Sequence, residues 1–198
     1  EMTRFEVMRL ILAEMLGTTE RELAADLGSR AYIPGMEEAN RRMREAPLWI
    51  DESGVVTADD IVRRVRAVSD QHGPPDVIAV DHFHLLAHGR GSQERGDEAP
   101  TRTAHTLRAL AKDTGAAVVV LAQMTKAGGR NGRPTLEEIH GSDGLATDSA
   151  LVVSPWRPEY RDGAPASETP ERAELVVTKS RFGGTGVVPC AWHGRRTR

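Results

Sequence analysis

Val77-Ile78-Ala79-Val80-Asp81 decides how this chain is read: four consecutive apolar residues end in a carboxylate. A short, unbroken apolar run bounded by turn residues is typical of a strand buried on both faces, as in parallel sheets covered by helices. Immediately upstream, Thr57 with Asp60 opens a helix running to about His72, and Gly73-Pro74-Pro75 stops it. Downstream, residues 88–103 are polar and glycine-rich and read as a loop. A helix then covers about Arg102–Thr114, and Ala116–Ala122 (AAVVVLA) is a second buried strand. Strand–helix–strand repetition with short buried strands predicts an α/β three-layer domain on a mostly parallel sheet.

Further out the pattern holds with variations. Residues 3–16 carry Phe5, Met8, Leu12 and Met15 near helical spacing, and Thr3 with Glu6 has the form of a capping box. Shorter helices are predicted over about Thr19–Leu27 and Met36–Ala46, followed by a short strand at Pro47–Asp51. Toward the C-terminus, Met124–Pro134 is a glycine-rich basic loop, Leu151-Val152-Val153 begins a strand, and Arg157–Glu171 is a surface loop. Glu174–Thr178 and Gly186–Ala191 then form a hairpin around Gly183-Gly184. No internal repeat and no domain boundary is visible, so residues 1–198 read as one domain.

Composition narrows the class. Of 198 residues, 39% are hydrophobic and 28% charged, which is globular rather than disordered. A net charge of -3 means that any nucleic-acid contact must come from a local patch or from assembly. Cys190 is the only cysteine, which excludes an internal disulfide framework and a multi-cysteine zinc site and fits a reducing cytosol. No apolar run approaches membrane-span length and nothing resembles a signal peptide. The chain opens on Glu1 and stops at Arg195-Arg196-Thr197-Arg198, so both ends read as cut.

Three places carry candidate chemistry. Asp81 closes a run with the form of a Walker B strand, where a carboxylate at the tip of a parallel strand can hold the water shell of Mg²⁺. The bland alternative is a strand-ending Asp that caps a turn. Gln123 ends the second apolar run, where a neutral amide can touch a γ-phosphate or an attacking water; otherwise it simply marks where a strand leaves the core. Lys179-Ser180-Arg181-Phe182-Gly183-Gly184-Thr185-Gly186 ends a strand in a glycine turn, and cations at i and i+2 face the same way, suiting one shared anionic target. Arg181 has the chemistry of a finger on a transferring phosphoryl group with Lys179 in support; the alternative is a solvated basic edge. His82, His84 and His88 form H-x-H-x₃-H, the first two on one strand face, and read as polar residues on a crevice rim rather than a metal site. Arg90, Arg95 and Arg102 read as solvated surface.

Taken in order, these pieces resemble the C-terminal motor domain of DnaB-like and related phage hexameric helicases across nearly the whole chain. Glu1-Met2-Thr3 is similar to a strand end that opens a helix there, and Asp81-His82-Phe83-His84-Leu85 to the Walker B strand running into Asp-aromatic-hydrophobic-Gln-Leu. Ala122-Gln123 looks like the strand ending in Ser-Gln, Arg133-Pro134…Glu138-Ile139-His140-Gly141-Ser142-Asp143 like the Arg-Pro…Asp-Leu-Arg segment, and Lys179–Gly186 like the closing Lys-x-Arg motif. The resemblance implies a RecA-like P-loop NTPase domain, partial at its N-terminal side, that uses ATP and Mg²⁺ as part of a ring hexamer of identical subunits. It implies Glu1 as the base acting on water, Asp81 as the Mg²⁺ ligand and Gln123 as the coupling residue. Arg181, with Lys179, reaches the neighbouring subunit's nucleotide. Single-stranded DNA is contacted by the loop with Lys126 and Arg130 and by Arg133, His140, Gly141 and Ser142. Primase and a helicase loader are further implied partners, and the implied location is the cytoplasm, near the nucleoid or, for a phage protein, in the host.

Departures from the pattern are specific. His82 and His84 stand where the family has an aromatic residue and Gln, and His140 stands for an Arg. No G-x-x-x-x-G-K-[ST] occurs in the 198 residues, so the phosphate-binding loop, with its strand and helix, is expected upstream of Glu1. Two other readings stay open: a different RecA-like NTPase of recombinase or clock type, and a non-catalytic assembly module without a phosphate loop.

Overall fold

The computed structural model describes residues 2–29, 33–54, 56–86, 98–125, 132–139, 143–160 and 171–194. Two compact units form, where the sequence suggested one domain. The first comprises Glu1–Ser53, Glu159–Ala173 and Cys190–Arg198, the second Gly54–Pro158 and Glu174–Pro189.

The first unit is helical at its N-terminal end. Helix α1 (Arg4–Leu16) begins at the expected capping box, with Thr3 and Glu6 satisfying each other's backbone N–H groups, and ends at Gly17 with φ 68°. Helix α2 (Glu20–Ser29) is tied to α1 by Arg9–Glu20 at 2.5 Å. Helix α3 (Met36–Glu45) starts from Gly35, whose φ of 80° suits a residue without a side chain. The strand expected at Pro47–Asp51 does not form. Pro47 brings no N–H to a ladder, and the Asp51 carboxylate accepts from the Ser53 N–H at 3.0 Å, which turns the chain instead of extending it.

In the second unit, α4 (Ala58–His72) opens with Thr57 and Asp60 capping each other. Strand β1 (Val77–Val80) follows, then a single 3₁₀ turn at Phe83–Leu85, α5 (Glu98–Thr114) and β2 (Ala117–Val120). Helix α5 begins earlier than predicted because Pro100 lies in its first turn, where no backbone N–H is required. Strands β1 and β2 are parallel neighbours, Val77 opposite Ala117 through Val80 opposite Val120.

One face of this pair is the core. Val80, Phe83, Leu86, Leu107 and Ala58 pack together, and Ile78, Leu110 and Ala116 form a second cluster with residues of α4. The expectation of strands buried on both faces is corrected here. Val77 is 58% exposed, Val119 50% and Leu121 51%, since no described element covers the second face.

A 3₁₀ turn at Leu136–Glu138 and the short α6 (Asp143–Asp148) lead into β3 (Leu151–Trp156), β4 (Glu171–Ser180) and β5 (Gly186–Trp192). These three form one sheet in the order β3-β4-β5, with β3 antiparallel to β4, so the predicted hairpin is a three-stranded unit. Pro155 and Pro189 fall on its two outer strands, where a missing N–H is tolerated. Helix α6 lies so close to α5 that a Cβ at Gly144 would stand 2.6 Å from the Thr101 Cα.

Candidate active site

Two parallel strand tips build the first part of the site. The ladder continues past β1 and β2: Leu121 N–H donates to the Val80 carbonyl at 3.0 Å, and Phe83 N–H to the Leu121 carbonyl at 2.9 Å. Phe83, 1% exposed, anchors this extension in the core. Asp81 and Gln123 therefore leave neighbouring strands on the same edge, where ligands bind in open α/β sheets. The Asp81–His82 peptide is cis.

Gln123 is held by the histidines. Its side-chain Nε2 lies 3.1 Å from the His82 imidazole Nε2, and its backbone N–H donates to His84 Nδ1 at 3.4 Å. His82 is only 7% exposed and the two rings stand 5.7 Å apart. The rim reading of these histidines is thus corrected for His82, which is buried. They occupy the turn after β1, not one strand face. His88 lies outside the described residues. The sequence signal was present but unread: if the two apolar runs pair in register, residues two or three past each end must meet.

Asp81 is exposed, and no described residue donates to its carboxylate. A hard oxygen donor left open at a strand tip fits Mg²⁺, which keeps most of its waters and needs one or two protein carboxylates. No group of three or more ligating side chains stands together among the described residues, so a fully protein-caged metal is not what they offer.

The second part of the site is at the end of β4. Arg181 N–H donates to the Ala150 carbonyl at 2.8 Å, fixing its backbone, while its side chain is exposed and engaged by no described residue. Phe182 beside it is 91% exposed. Lys179 behaves differently: its ammonium donates to the carbonyls of Ala146 at 2.6 Å and Thr147 at 2.8 Å, in the last turn of α6. A cation there meets carbonyls that have no intrahelical partner. One shared anionic target for both cations is not the arrangement found.

Arg133, expected against DNA, makes a two-point contact with Glu174, Nε to Oε2 at 2.6 Å and Nη2 to Oε1 at 3.2 Å, and lies 5.8 Å from the Trp156 ring centroid. The hydrogen-bonded carboxylate raises the Arg133 pKa, so its charge is permanent. Glu174 itself is buried. A second buried carboxylate, Asp148, takes His105 at 2.5 Å and Arg108 at 2.9 Å, binding the end of α6 to α5. Neither acid was legible in the sequence, because each pairs with a partner about forty residues away. Glu1, Lys126, Arg130, His140, Gly141 and Ser142 lie outside the described residues.

Comparison with known proteins agrees with this geometry. The family model for the DnaB-like helicase C terminal domain matches residues 1–198. The replicative DNA helicase DnaB of Leifsonia xyli subsp. xyli is 27% identical over 203 residues, covering 100% of this chain and 43% of that protein. Its counterpart in Haemophilus influenzae is 30% identical over 154 residues, covering 76% of the chain and 32% of the protein. The chain thus spans less than half the length of these relatives. A DnaB-like replicative helicase, described with its interactions with primase, superposes at a TM-score of 0.83 and 17% identity over 100% of this chain and 49% of its own. A second solved structure, an ATPase domain, does so at 0.83 and 17%, over 99% of this chain and 70% of its own. These neighbours establish the RecA-like α/β fold. With a family model matched from the first residue to the last, the chain belongs to the DnaB-like helicase C-terminal domain family.

Proposed function

We propose that this chain is the motor portion of an ATP-driven replicative DNA helicase that works as a ring of identical subunits. The observation that carries the proposal is the joint exposure of Asp81 beside Gln123 at adjacent parallel strand tips and of Arg181 at the end of β4.

Mg²⁺, when bound, would neutralise negative charge on the nucleotide's phosphates. Asp81 would hold it through its water shell, Glu1 would orient the attacking water, and Gln123 would register whether the terminal phosphate is present. Arg181 would enter the neighbouring subunit's site, so that hydrolysis depends on the ring. Lys179, on this reading, supports Arg181 from within its own subunit. Single-stranded DNA would be held by the loop with Lys126 and Arg130 and by the segment with His140, Gly141 and Ser142, whose amides suit phosphates. Primase and a loader are the further proposed partners, and the cytoplasm the proposed location; among the described residues no helix is long and apolar enough to cross a membrane.

The test is phosphate release by the full-length protein with Mg²⁺ and ATP, with and without single-stranded DNA, beside an Asp81→Ala variant. DNA-stimulated hydrolysis that the variant loses is expected. Hydrolysis indifferent to DNA would point to a different RecA-like NTPase. Intact rings without hydrolysis would point to an assembly module.

A further inference from the structure

The buried imidazole against Gln123 has no part in the site as drawn so far. A side-chain amide has two chemically opposite ends, a carbonyl that only accepts and an NH₂ that only donates. Left free at a strand tip, Gln123 could present either end to a phosphate or a water by rotating about its last bond, a soft two-fold torsion. In this structure it is not free. Its Nε2 lies 3.1 Å from the His82 Nε2, within hydrogen-bond reach of the buried ring. The backbone is held as well, by the Gln123 N–H donating to His84 Nδ1. His82 cannot drift, since it is buried and follows a backbone tied to Leu121 through Phe83.

We infer that His82 is a positioning residue that fixes the rotamer of Gln123, so that one end of the amide is held in place beyond the strand tips instead of either end in turn. The amide is thereby ordered before the nucleotide arrives, so its orientation need not be assembled during the reaction. His84 supports this from the backbone side. The inference rests on the functional reading above and deepens it, by naming the residue that orders Gln123.

The experiment uses the full-length ring with single-stranded DNA and compares His82→Phe, Gln123→Ala, the double variant, His82→Gln and His82→Asn. His82→Phe keeps a ring of similar size without a hydrogen-bonding nitrogen, and should cut DNA-stimulated kcat about tenfold, the size of one lost buried hydrogen bond. KM for ATP should move by less than about twofold, because ground-state binding does not use this contact. The double variant should be no worse than Gln123→Ala, as for two residues acting through one contact. His82→Gln, which places an amide near the imidazole Nε2, should restore most of the rate; His82→Asn, one bond shorter, should not. That last pair also serves if His82→Phe does not fold. Multiplying effects in the double variant, or equal defects in His82→Gln and His82→Asn, would overturn the inference. A wild-type ring with no DNA-stimulated hydrolysis would instead overturn the functional reading.

Discussion

On the proposed reading the tips of β1 and β2 and the end of β4 carry residues for the same chemistry, yet they are built in opposite ways. At the parallel tips the polar groups are locked together: His82 is buried, Gln123 is held at side chain and backbone, and Phe83 anchors the turn. At the end of β4 the backbone is fixed by Arg181 N–H on Ala150, but Arg181 and Phe182 project into solvent. A group that must meet a substrate bound by its own subunit gains from preorganisation, because geometry set in advance need not be assembled in the transition state. A group that must meet another subunit's substrate can be ordered only when that subunit arrives. If the proposed roles hold, the difference teaches which half of the machinery is finished within one chain.

The strongest way to break this comparison is Arg181→Ala. If Arg181 completes a neighbour's site, DNA-stimulated hydrolysis by the full-length ring should fall by on the order of 10³-fold or more, as for arginine fingers in other nucleotide hydrolases. Nucleotide affinity and thermal stability should barely move, since the side chain touches no described residue. Turnover and calorimetry read the two effects separately. A large loss of binding or of stability would place Arg181 in its own subunit's site or in its fold.

Lys179 sharpens the comparison two residues earlier. Its ammonium caps the C-terminal carbonyls of α6, whose Asp148 is also gripped from α5 by His105 and Arg108. Lys179→Ala should therefore lower unfolding stability by about 1 kcal/mol, the size of a charge-assisted contact at a helix end discounted for partial exposure. In rings mixed with Asp81→Ala subunits, Arg181→Ala subunits should impair the neighbour's site strongly, and Lys179→Ala subunits only weakly, through the support that Lys179 gives Arg181. Denaturant titration gives the first quantity and mixed-ring turnover the second. A trans effect from Lys179 equal to that of Arg181, without loss of stability, would return both to a shared role.

What could be read from the sequence follows the range of the interactions. Helices α1 and α4 were legible because Thr3–Glu6 and Thr57–Asp60 close within one turn. Strands β1 and β2 were legible because apolar runs bounded by turns have few alternatives. Their one-sided burial was not, since burial depends on which elements stand over each face. Asp81 and Gln123 stood out as polar residues ending apolar runs. The role of His82 did not, because it follows from register, and neither did Glu174 or Asp148, whose partners lie far along the chain. Pro47 illustrates the remaining failure: a local β pattern gave way to a side-chain turn at Asp51.

Arg133 is where pattern and geometry differ most, and it yields the smallest expected effect. Its place in the Arg-Pro segment suggested a phosphate contact, whereas its guanidinium is taken up by the buried Glu174 carboxylate and lies near Trp156. A residue that contacts a phosphate releases counterions, and removing it should reduce the slope of log K against log salt for single-stranded DNA by about 0.7. A residue that only braces β4 has no such signature. Arg133→Ala should therefore weaken the packing of the Arg133 segment on β4, yet leave the salt slope of DNA binding unchanged within error. Titrations of a fluorescent oligonucleotide across a series of salt concentrations measure it directly. A slope lower by the value of one contact would show that the guanidinium leaves Glu174 for DNA in the assembled ring. The structure would then describe the motor before it grips its track, and the Glu174 carboxylate would be the place where Arg133 waits.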